Sequence, residues 1–185
     1  DGRTLRGLMR AHAAQRPAAD ESGSFYHGYI ERVPDGDLVD TLIRQTDDVR
    51  AALAAVSDSA ASARPGPAEW SGKQVLGHIT EWERIFSHRA LCLARGIDGQ
   101  LPGYDQEQLV AAAGFDTRSW ASLLAEHAAV RAATIMLFDG LHAPDWERAG
   151  LCSGSRTTVR ALAYVIAGHE LHHIASLGEV YQLLG

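Results

Sequence analysis

At 185 residues, the chain is long enough for one domain with a sizeable hydrophobic core, and its 46% of hydrophobic and 22% of charged residues are ordinary for a soluble globular protein. A net charge of −6 argues against nucleic acid or an anionic membrane surface as the main partner. No apolar run approaches the roughly 20 residues of a membrane span, and two cysteines are too few for a disulfide framework, so we expect a cytoplasmic protein with both thiols reduced.

Residues 1–24 are rich in arginine and poor in large apolar residues. Segments of this composition near a chain end are often poorly ordered, so a flexible N-terminal tail is predicted there. A single domain is predicted over residues 25–185. It opens with an aromatic cluster at residues 25–30, which is expected to cover one end of the core.

The first long helix is predicted over residues 36–59. A mostly apolar stripe with three- and four-residue spacing runs along it, formed by Leu38, Leu42, Thr46, Val49, Leu53 and Val56. Acidic residues just before this stripe are favourable at the positive end of a helix dipole. Proline and glycine in residues 61–67 then predict a loop.

The second helix is predicted to start at Ser71, because Ser71 and Gln74 have the spacing of a capping box. Gly96 is a favourable residue for its end. His78 lies on the inner stripe within the first two turns. His88 lies ten residues later, about 15 Å further along the axis, and is interpreted as a surface or packing histidine.

A long connection over residues 97–115, with a short helix predicted at residues 106–113, separates the second helix from the third. A connection of this length allows the third helix to run parallel to the second. The third helix is predicted over residues 117–140 with Asp116 as its cap. His127 lies on its inner stripe and is interpreted as a hydrogen-bonded core residue, with a fourth metal ligand or a partner of the ligands as alternatives.

The closing helix, over residues 161–181, carries His169 and His173 within an otherwise apolar stripe. Residues four apart on a helix lie about 5–6 Å apart at Cβ, so the two imidazoles can bind one ion. The alternative is that both rings are buried and hydrogen-bonded without a metal. His172 lies about 100° around the helix from His173 and is expected at the rim.

No segment alternates with a period of two, so no strands are predicted. Four amphipathic helices indicate an all-α four-helix bundle, a fold that builds metal sites from side chains on facing helices. If the second and closing helices face each other, His78, His169 and His173 form a three-histidine set. Such a set leaves a position for water or substrate, whereas a filled fourth position without a cavity would indicate a purely structural ion.

Residues 169–173 also satisfy the H-E-x-x-H pattern, in which glutamate is the general base of a zinc protease. The surrounding residues argue against a protease. Ser176 and Glu179 stand where the longer motif has glycine and its third histidine, and no upstream strand is predicted to hold a peptide. Glu170 is not assigned as a base because it lies about 100° from the ligand face.

Four stretches of the sequence resemble the DinB-like (DNA-damage-inducible) metalloprotein superfamily. They are EWSGKQVLGHI at 69–79, RALCLARG at 89–96, LPGYDQ at 101–106 and AGHELHHI at 167–174. The resemblance implies an up-down-down-up bundle with a long crossover between the second and third helices, and frequent homodimers. It also implies one divalent ion per chain, commonly nickel or zinc, with His78, His169 and His173 at the ligand positions.

Relatives in this superfamily include thiol-dependent transferases and isomerases that use bacillithiol, mycothiol or glutathione. The expected function is therefore a metal-dependent thiol S-transferase with a thiol cosubstrate and a small-molecule substrate, and with no nucleic-acid or membrane partner. A metal-dependent hydrolase and a non-enzymatic metal-binding stress-response protein are the alternatives. The expected pocket-lining residues are Tyr26, Tyr29, Trp82 and His127.

Overall fold

The computed structural model describes residues 15–97 and 99–184, and α-helices dominate it. The helices are α1 (His27–Arg32), α2 (Leu38–Leu53), α3 (Asp58–Ala61), α4 (Gly72–Ala94), α5 (Gln106–Ala113), α6 (Trp120–Asp139), α7 (Ala143–Glu147) and α8 (Val159–Glu179). Short 3₁₀ turns lie at Ala19–Glu21, Ser24–Tyr26 and Phe115–Thr117, and the strands are β1 (Gln100–Leu101), β2 (Ala149–Cys152) and β3 (Ser155–Thr158).

The four long helices α2, α4, α6 and α8 form the predicted four-helix bundle, and its up-down-down-up topology is confirmed. Helix α4 packs against α6 and α8, and α2 packs against the same two helices. The short helix predicted at residues 106–113 is present as α5, within the long crossover between α4 and α6. This arrangement brings α4 and α8, which carry the candidate ligands, side by side.

Local signals set the start and end of α4 as expected. The Ser71 side chain accepts a hydrogen bond from the Gln74 backbone, and the Gln74 side chain accepts one from the Ser71 backbone, which completes the capping box. Gly96 follows the helix with a φ of 69°, a conformation that favours glycine. The predicted cap of α6 was wrong, because Ser119 caps it while Asp116 accepts a hydrogen bond from the Ser71 hydroxyl.

The first long helix is shorter than the predicted range of 36–59. Helix α2 ends at Leu53, and the separate helix α3 begins after Ser57, whose side chain accepts a hydrogen bond from the Ala60 backbone. Asp58 holds the new direction, since its carboxylate accepts hydrogen bonds from Lys73 and from the backbone N–H of Trp120. The chain therefore turns here to contact α4 and α6.

The prediction of no strands was wrong. Strand β1 pairs in parallel with β2, and β2 pairs antiparallel with β3 through a turn at Ser153 and Gly154, both with positive φ. Segments of two to four residues are too short to show an alternating pattern, and β1 and β2 are distant in sequence. The sheet leads into α8, whose first turn is capped by the Thr158 hydroxyl.

Helix α8 is the central helix of the bundle, because residues 161–170 are all buried. Helix α1 crosses it at Gly168, where an added Cβ would lie 1.9 Å from the Tyr29 carbonyl oxygen. Only a glycine allows this approach without a backbone shift. The crossing places the aromatic side of α1 directly over His169.

The N-terminal tail predicted over residues 1–24 falls mostly outside the described residues and stays a prediction, as does the boundary of the domain. Within the described part, Arg16 donates hydrogen bonds to the carbonyl oxygens of Ile30 and Val33. Glu21 accepts hydrogen bonds from Thr158 and Arg160 at the start of α8. Residues 15–24 thus contact the end of α1 and the start of α8.

Among the described helices, α6 alone is long and apolar enough to cross a membrane by length and composition. Core helices of globular proteins meet the same criterion, and α6 packs between α2 and α4. It also carries Arg131, which is fully buried and pairs with carboxylates of the neighbouring helices. The cytoplasmic location expected from the sequence stays a prediction.

Candidate metal centre

The three histidines expected to bind a metal lie together between α4 and α8. His78 Nε2 is 3.0 Å from His169 Nε2, and His173 Nε2 is 3.1 Å from the same atom. The ring centroids are 4.5 to 4.9 Å apart, and the rings are strongly inclined to one another. Because His169 and His173 are one helical turn apart and α4 packs on α8, the bundle brings all three nitrogens to one point.

Hydrogen bonding alone does not satisfy these imidazoles. A neutral imidazole carries one N–H and one lone pair, so His169 Nε2 can pair with only one of its two neighbours. In addition, the buried Nδ1 of His78 has no hydrogen-bond partner among the described residues. A cation that accepts a lone pair from each Nε2 removes the conflict among these three atoms, and each Nδ1 then carries the N–H of its ring.

The distances fit such a cation. Zinc–nitrogen bonds of 2.0–2.1 Å at tetrahedral or octahedral angles separate two ligand atoms by about 2.8–3.4 Å. The distances of 3.0 and 3.1 Å from His169 Nε2 to the other two Nε2 atoms fall within that interval. The donor set therefore fits a divalent transition metal ion.

The histidines are in the protonation state that metal binding requires. Burial, with a smaller contribution from His172, lowers the pKa of His78 to about 4. Burial and the neighbouring imidazoles lower the pKa of His173 to about 3 and hold the pKa of His169 well below its usual range. All three are neutral at pH 7, so their lone pairs are free to bind a metal.

Aromatic rings pack against the histidines on several sides. The Trp70 ring lies 4.8 Å from the His78 ring, and the Tyr29 ring contacts His169 edge-on at 5.3 Å. Phe86 contacts His169 from the other side at 6.0 Å. The buried Phe86 ring excludes water from its side of the ligands and lowers the local dielectric there.

The site opens to solvent on the side of His173. A cavity of about 260 Å³ lies there, lined by Glu69, Trp70, Glu107, His172, His173 and Tyr181, among others. His172 lies at the rim, as its helical position predicts. Among the described residues, only three ligand atoms make up the cluster, so the opening can admit water or substrate.

The residues expected to line a pocket lie in different places. Tyr26 and Trp82 line a neighbouring cavity of about 570 Å³, which shares Gln106 and Glu107 with the smaller one. Tyr29 contacts the histidine rings directly. His127 lines neither cavity.

Comparison with known proteins places the chain in a family. The family model described as DinB superfamily matches residues 41–177, which is most of the chain. The chain belongs to the DinB superfamily. A search of curated proteins found no match to this DinB-superfamily chain.

One solved structure gives the fold a parallel. YfiT from Bacillus subtilis, described as a probable metal-dependent hydrolase with an unusual four-helix bundle topology, superimposes with a TM-score of 0.70. The match covers 95% of this chain and 97% of YfiT at 15% sequence identity. At that identity the likeness shows a shared fold.

A second buried polar cluster, which the sequence did not predict, lies beside the histidines of this DinB-superfamily bundle. Arg131 donates to both oxygens of Glu83 at 2.8 Å and to both oxygens of Glu170 at 3.0 Å. His127 Nε2 lies 2.7 Å from Glu170, which confirms the interpretation of His127 as a hydrogen-bonded core residue. Gln45 completes the cluster through its side-chain carbonyl, which accepts from Arg131.

The charges within this cluster stabilise one another. Burial alone would lower the pKa of Arg131 and raise the pKa of Glu170, but the opposite charges outweigh burial in both cases. The pKa of Arg131 is therefore raised and that of Glu170 lowered. Glu83, His127 and Glu170 have ligand spacing, yet Arg131 already donates hydrogen bonds to both carboxylates. The sequence feature that could have revealed this cluster is Arg131, four residues after His127 and on the same inner stripe of the helix.

Proposed function

We propose that this chain is a metal-dependent enzyme that holds one divalent cation on His78, His169 and His173 and acts on a small molecule. The observation that carries the proposal is the convergence of three neutral Nε2 atoms beside an open cavity. Structural zinc sites are closed by four protein ligands, whereas catalytic sites use three and keep a position for the reactant. The open side therefore favours an enzyme over a protein that uses the ion only to hold its helices together.

A divalent cation in this position supplies a Lewis acid and lowers the pKa of a bound water or thiol. The three histidines would hold the ion, and the buried Phe86 ring would keep water from their inner side. Glu69 and Glu107 are the carboxylates of the opening, so they are the groups available to accept a proton from a nucleophile. Trp70 Nε1 donates a hydrogen bond to Glu107 at 3.1 Å and fixes its orientation.

Hydrolysis of a small ester or amide is the reaction that we propose first. The two carboxylates at the opening support it, because water activation needs a proton acceptor beside the ion. The shared fold with YfiT, a probable metal-dependent hydrolase, adds support.

Thiol transfer is the second candidate, as a metal-dependent S-transferase that uses bacillithiol, mycothiol or glutathione. The cavity of about 570 Å³ next to the opening favours it, because that space can hold a second reactant beside a thiol cosubstrate. We propose nickel or zinc as the ion, since imidazole ligands suit both.

A homodimer is also proposed. The described surface between α4 and α6 forms an apolar groove of about 540 Å³. Nearby, Met136 is 76% exposed and Leu91 is 41% exposed, and burial of such residues against a second copy is favourable. Sedimentation of wild type and of Leu91→Glu tests this proposal, and a monomeric wild type at micromolar concentration contradicts it.

The test of function uses cobalt-substituted protein, with His142→Ala, at an exposed histidine, as the control. A water-activating site should hydrolyse simple aryl esters in a reaction that His78→Ala abolishes and His142→Ala preserves. A thiol-binding site should instead develop a sulfur-to-cobalt charge-transfer band when one of the three thiols is added. Absence of both the band and any His78-dependent turnover contradicts the enzymatic proposal.

A further inference from the structure

Arg89 is a buried cation without a counter-charge in the described structure. It lies on α4 eleven residues after His78, and it is 1% exposed. Its Nη2 atom donates to the Pro102 carbonyl at 2.7 Å and to the Ser153 hydroxyl at 3.0 Å. Its Nε and Nη1 atoms have no hydrogen-bond acceptor among residues 15–97 and 99–184.

The contrast with Arg131 shows that this is unusual within the molecule. Both guanidinium groups are buried, but Arg131 is held by Glu83 and Glu170, while the described residues provide no carboxylate for Arg89. Buried charged donors without acceptors are unfavourable, and their presence in a folded protein calls for a partner.

Aromatic rings stabilise the faces of this guanidinium. Its central carbon lies 5.9 Å from the Trp82 ring, 5.8 Å from Phe86 and 6.0 Å from Tyr104. Such contacts favour a cation above a ring. They do not satisfy the N–H groups, which lie in the guanidinium plane and require acceptors there.

A small cavity of about 170 Å³ lies beside Arg89. It is lined by Arg84 and His88 on α4 and by Leu101, Pro102 and Tyr104 of the crossover, and no acidic residue lines it. Arg84 also pairs with Glu126 at 2.6 Å, which leaves Arg89 as the unpaired charge. A basic cavity of this kind stands out in a chain whose net charge is −6.

We propose that this cavity binds the acidic group, a carboxylate or phosphate, of a small organic anion. Arg89 donates its free N–H groups to the anion, and Tyr104 and Pro102 contact the apolar part of the ligand. Access is through the crossover loop, where residues 102–105 are exposed. Phe86 separates this site from the metal centre by contacting both Arg89 and His169, so anion binding does not require the metal.

The experiment is calorimetric titration of the full chain, both metal-loaded and chelated, with benzoate, phenylphosphonate and the neutral analogue benzamide. We expect at least one of the two anions to bind about tenfold or more tightly than benzamide, since charge-assisted hydrogen bonds distinguish them. The tighter of the two anions identifies carboxylate or phosphate as the preferred group. Arg89→Gln should remove the preference over benzamide, and Arg50→Gln, an exposed arginine on α2, should keep it.

The proposal is overturned if benzamide and both anions bind equally, if neither anion binds, or if folded Arg89→Gln keeps the preference. Arg89 is then a structural residue that is held only by the surrounding aromatic rings. The comparison of the three ligands needs only the wild type, so it decides the matter even if Arg89→Gln does not fold. Tyr104→Ala, in the exposed loop, should weaken every ligand several-fold through lost apolar contact. Loss of the metal by chelation should leave the anion affinity unchanged, which separates this site from the proposed metal centre.

Discussion

His169 and Glu170 are consecutive on α8, yet they belong to two different buried polar clusters. His169 points to His78 and His173. All three rings are neutral, and His169 Nε2 cannot hydrogen-bond to both of its neighbours at once. Glu170 points to Arg131 and His127, where each carboxylate oxygen has a donor within 3.0 Å. Among the residues that the structure describes, the first cluster includes no positively charged side chain, whereas the second includes Arg131.

The difference shows what distinguishes a metal site from a structural network. Both clusters bring three potential ligand atoms within 4.8 Å of one another, so proximity does not separate them. Hydrogen-bond satisfaction does, because a satisfied network has nothing to offer an ion, whereas three unshared lone pairs do. The predictions below test this distinction.

The largest expected effect is on metal content. Wild type should bind about one divalent ion per chain, and His169→Ala should bind none, because His169 Nε2 is the atom that both other nitrogens approach. Elemental analysis after dialysis measures the occupancy. His127→Ala serves as the control from the other cluster, and full occupancy in His169→Ala would show that the ligand assignment is wrong.

Arg131→Met should cost about 3–5 kcal/mol of unfolding free energy, since it leaves two buried carboxylates without their cation. Urea denaturation measures this value. Arg50→Met, at an exposed ion pair on α2, should change stability by about 0.5 kcal/mol or less. A loss below about 1 kcal/mol for Arg131→Met would mean that the network carries little of the stability of the bundle.

Metal binding should stabilise the fold through the histidines alone. An ion present at 100 times its dissociation constant adds about 2.7 kcal/mol, so chelation should lower the melting temperature of wild type. His78→Gln should melt at the same temperature with and without chelator. If chelation destabilises this variant as much as wild type, the ion binds elsewhere.

Acid should destabilise the metal-free protein through the same histidines. The pKa of His78 is about 4 when folded and 6.5 by reference to an exposed histidine, so between these values the unfolded state binds more protons. The free energy of unfolding therefore rises with pH in this window, and acidification removes the stability gained there. The free energy of unfolding, measured as a function of pH, should rise less steeply for His78→Gln than for wild type, by up to about 1.4 kcal/mol per pH unit. Identical slopes would contradict the burial of a neutral His78.

The smallest effect is expected at the rim. His172→Ala should keep one ion per chain, because His172 is not among the three clustered ligands. Its ring contacts Tyr29 and His173, so affinity should fall by no more than several-fold through lost packing. A competition titration with a coloured chelator measures the change, and complete loss of metal would place His172 in the coordination sphere.

Local patterns predicted most of the bundle and the three histidines. Ser71 and Gln74 fixed the start of α4 because a capping box depends only on neighbouring residues. The four-residue spacing of His169 and His173 placed the two rings side by side on α8 for the same reason. These features are short-range and are visible in one sequence.

Features that depend on distant residues could not be predicted. The partners of Arg131 come from three different helices, and no local pattern records such a meeting. Strands β1 and β2 pair across about 50 residues and are too short to alternate. The break between α2 and α3 depends on Asp58 reaching the start of α6, which is also a tertiary contact.

Because α1 crosses α8 at Gly168, the proposed metal centre needs segments that are synthesised at very different times. The Tyr29 ring reaches His169 only when α1 has docked on α8, a contact between segments separated by about 140 residues. During synthesis, α1 and His78 emerge long before α8 exists, so the nascent chain holds a single ligand and an unpaired aromatic helix. During synthesis, assembly of the site therefore waits until α8 enters the bundle.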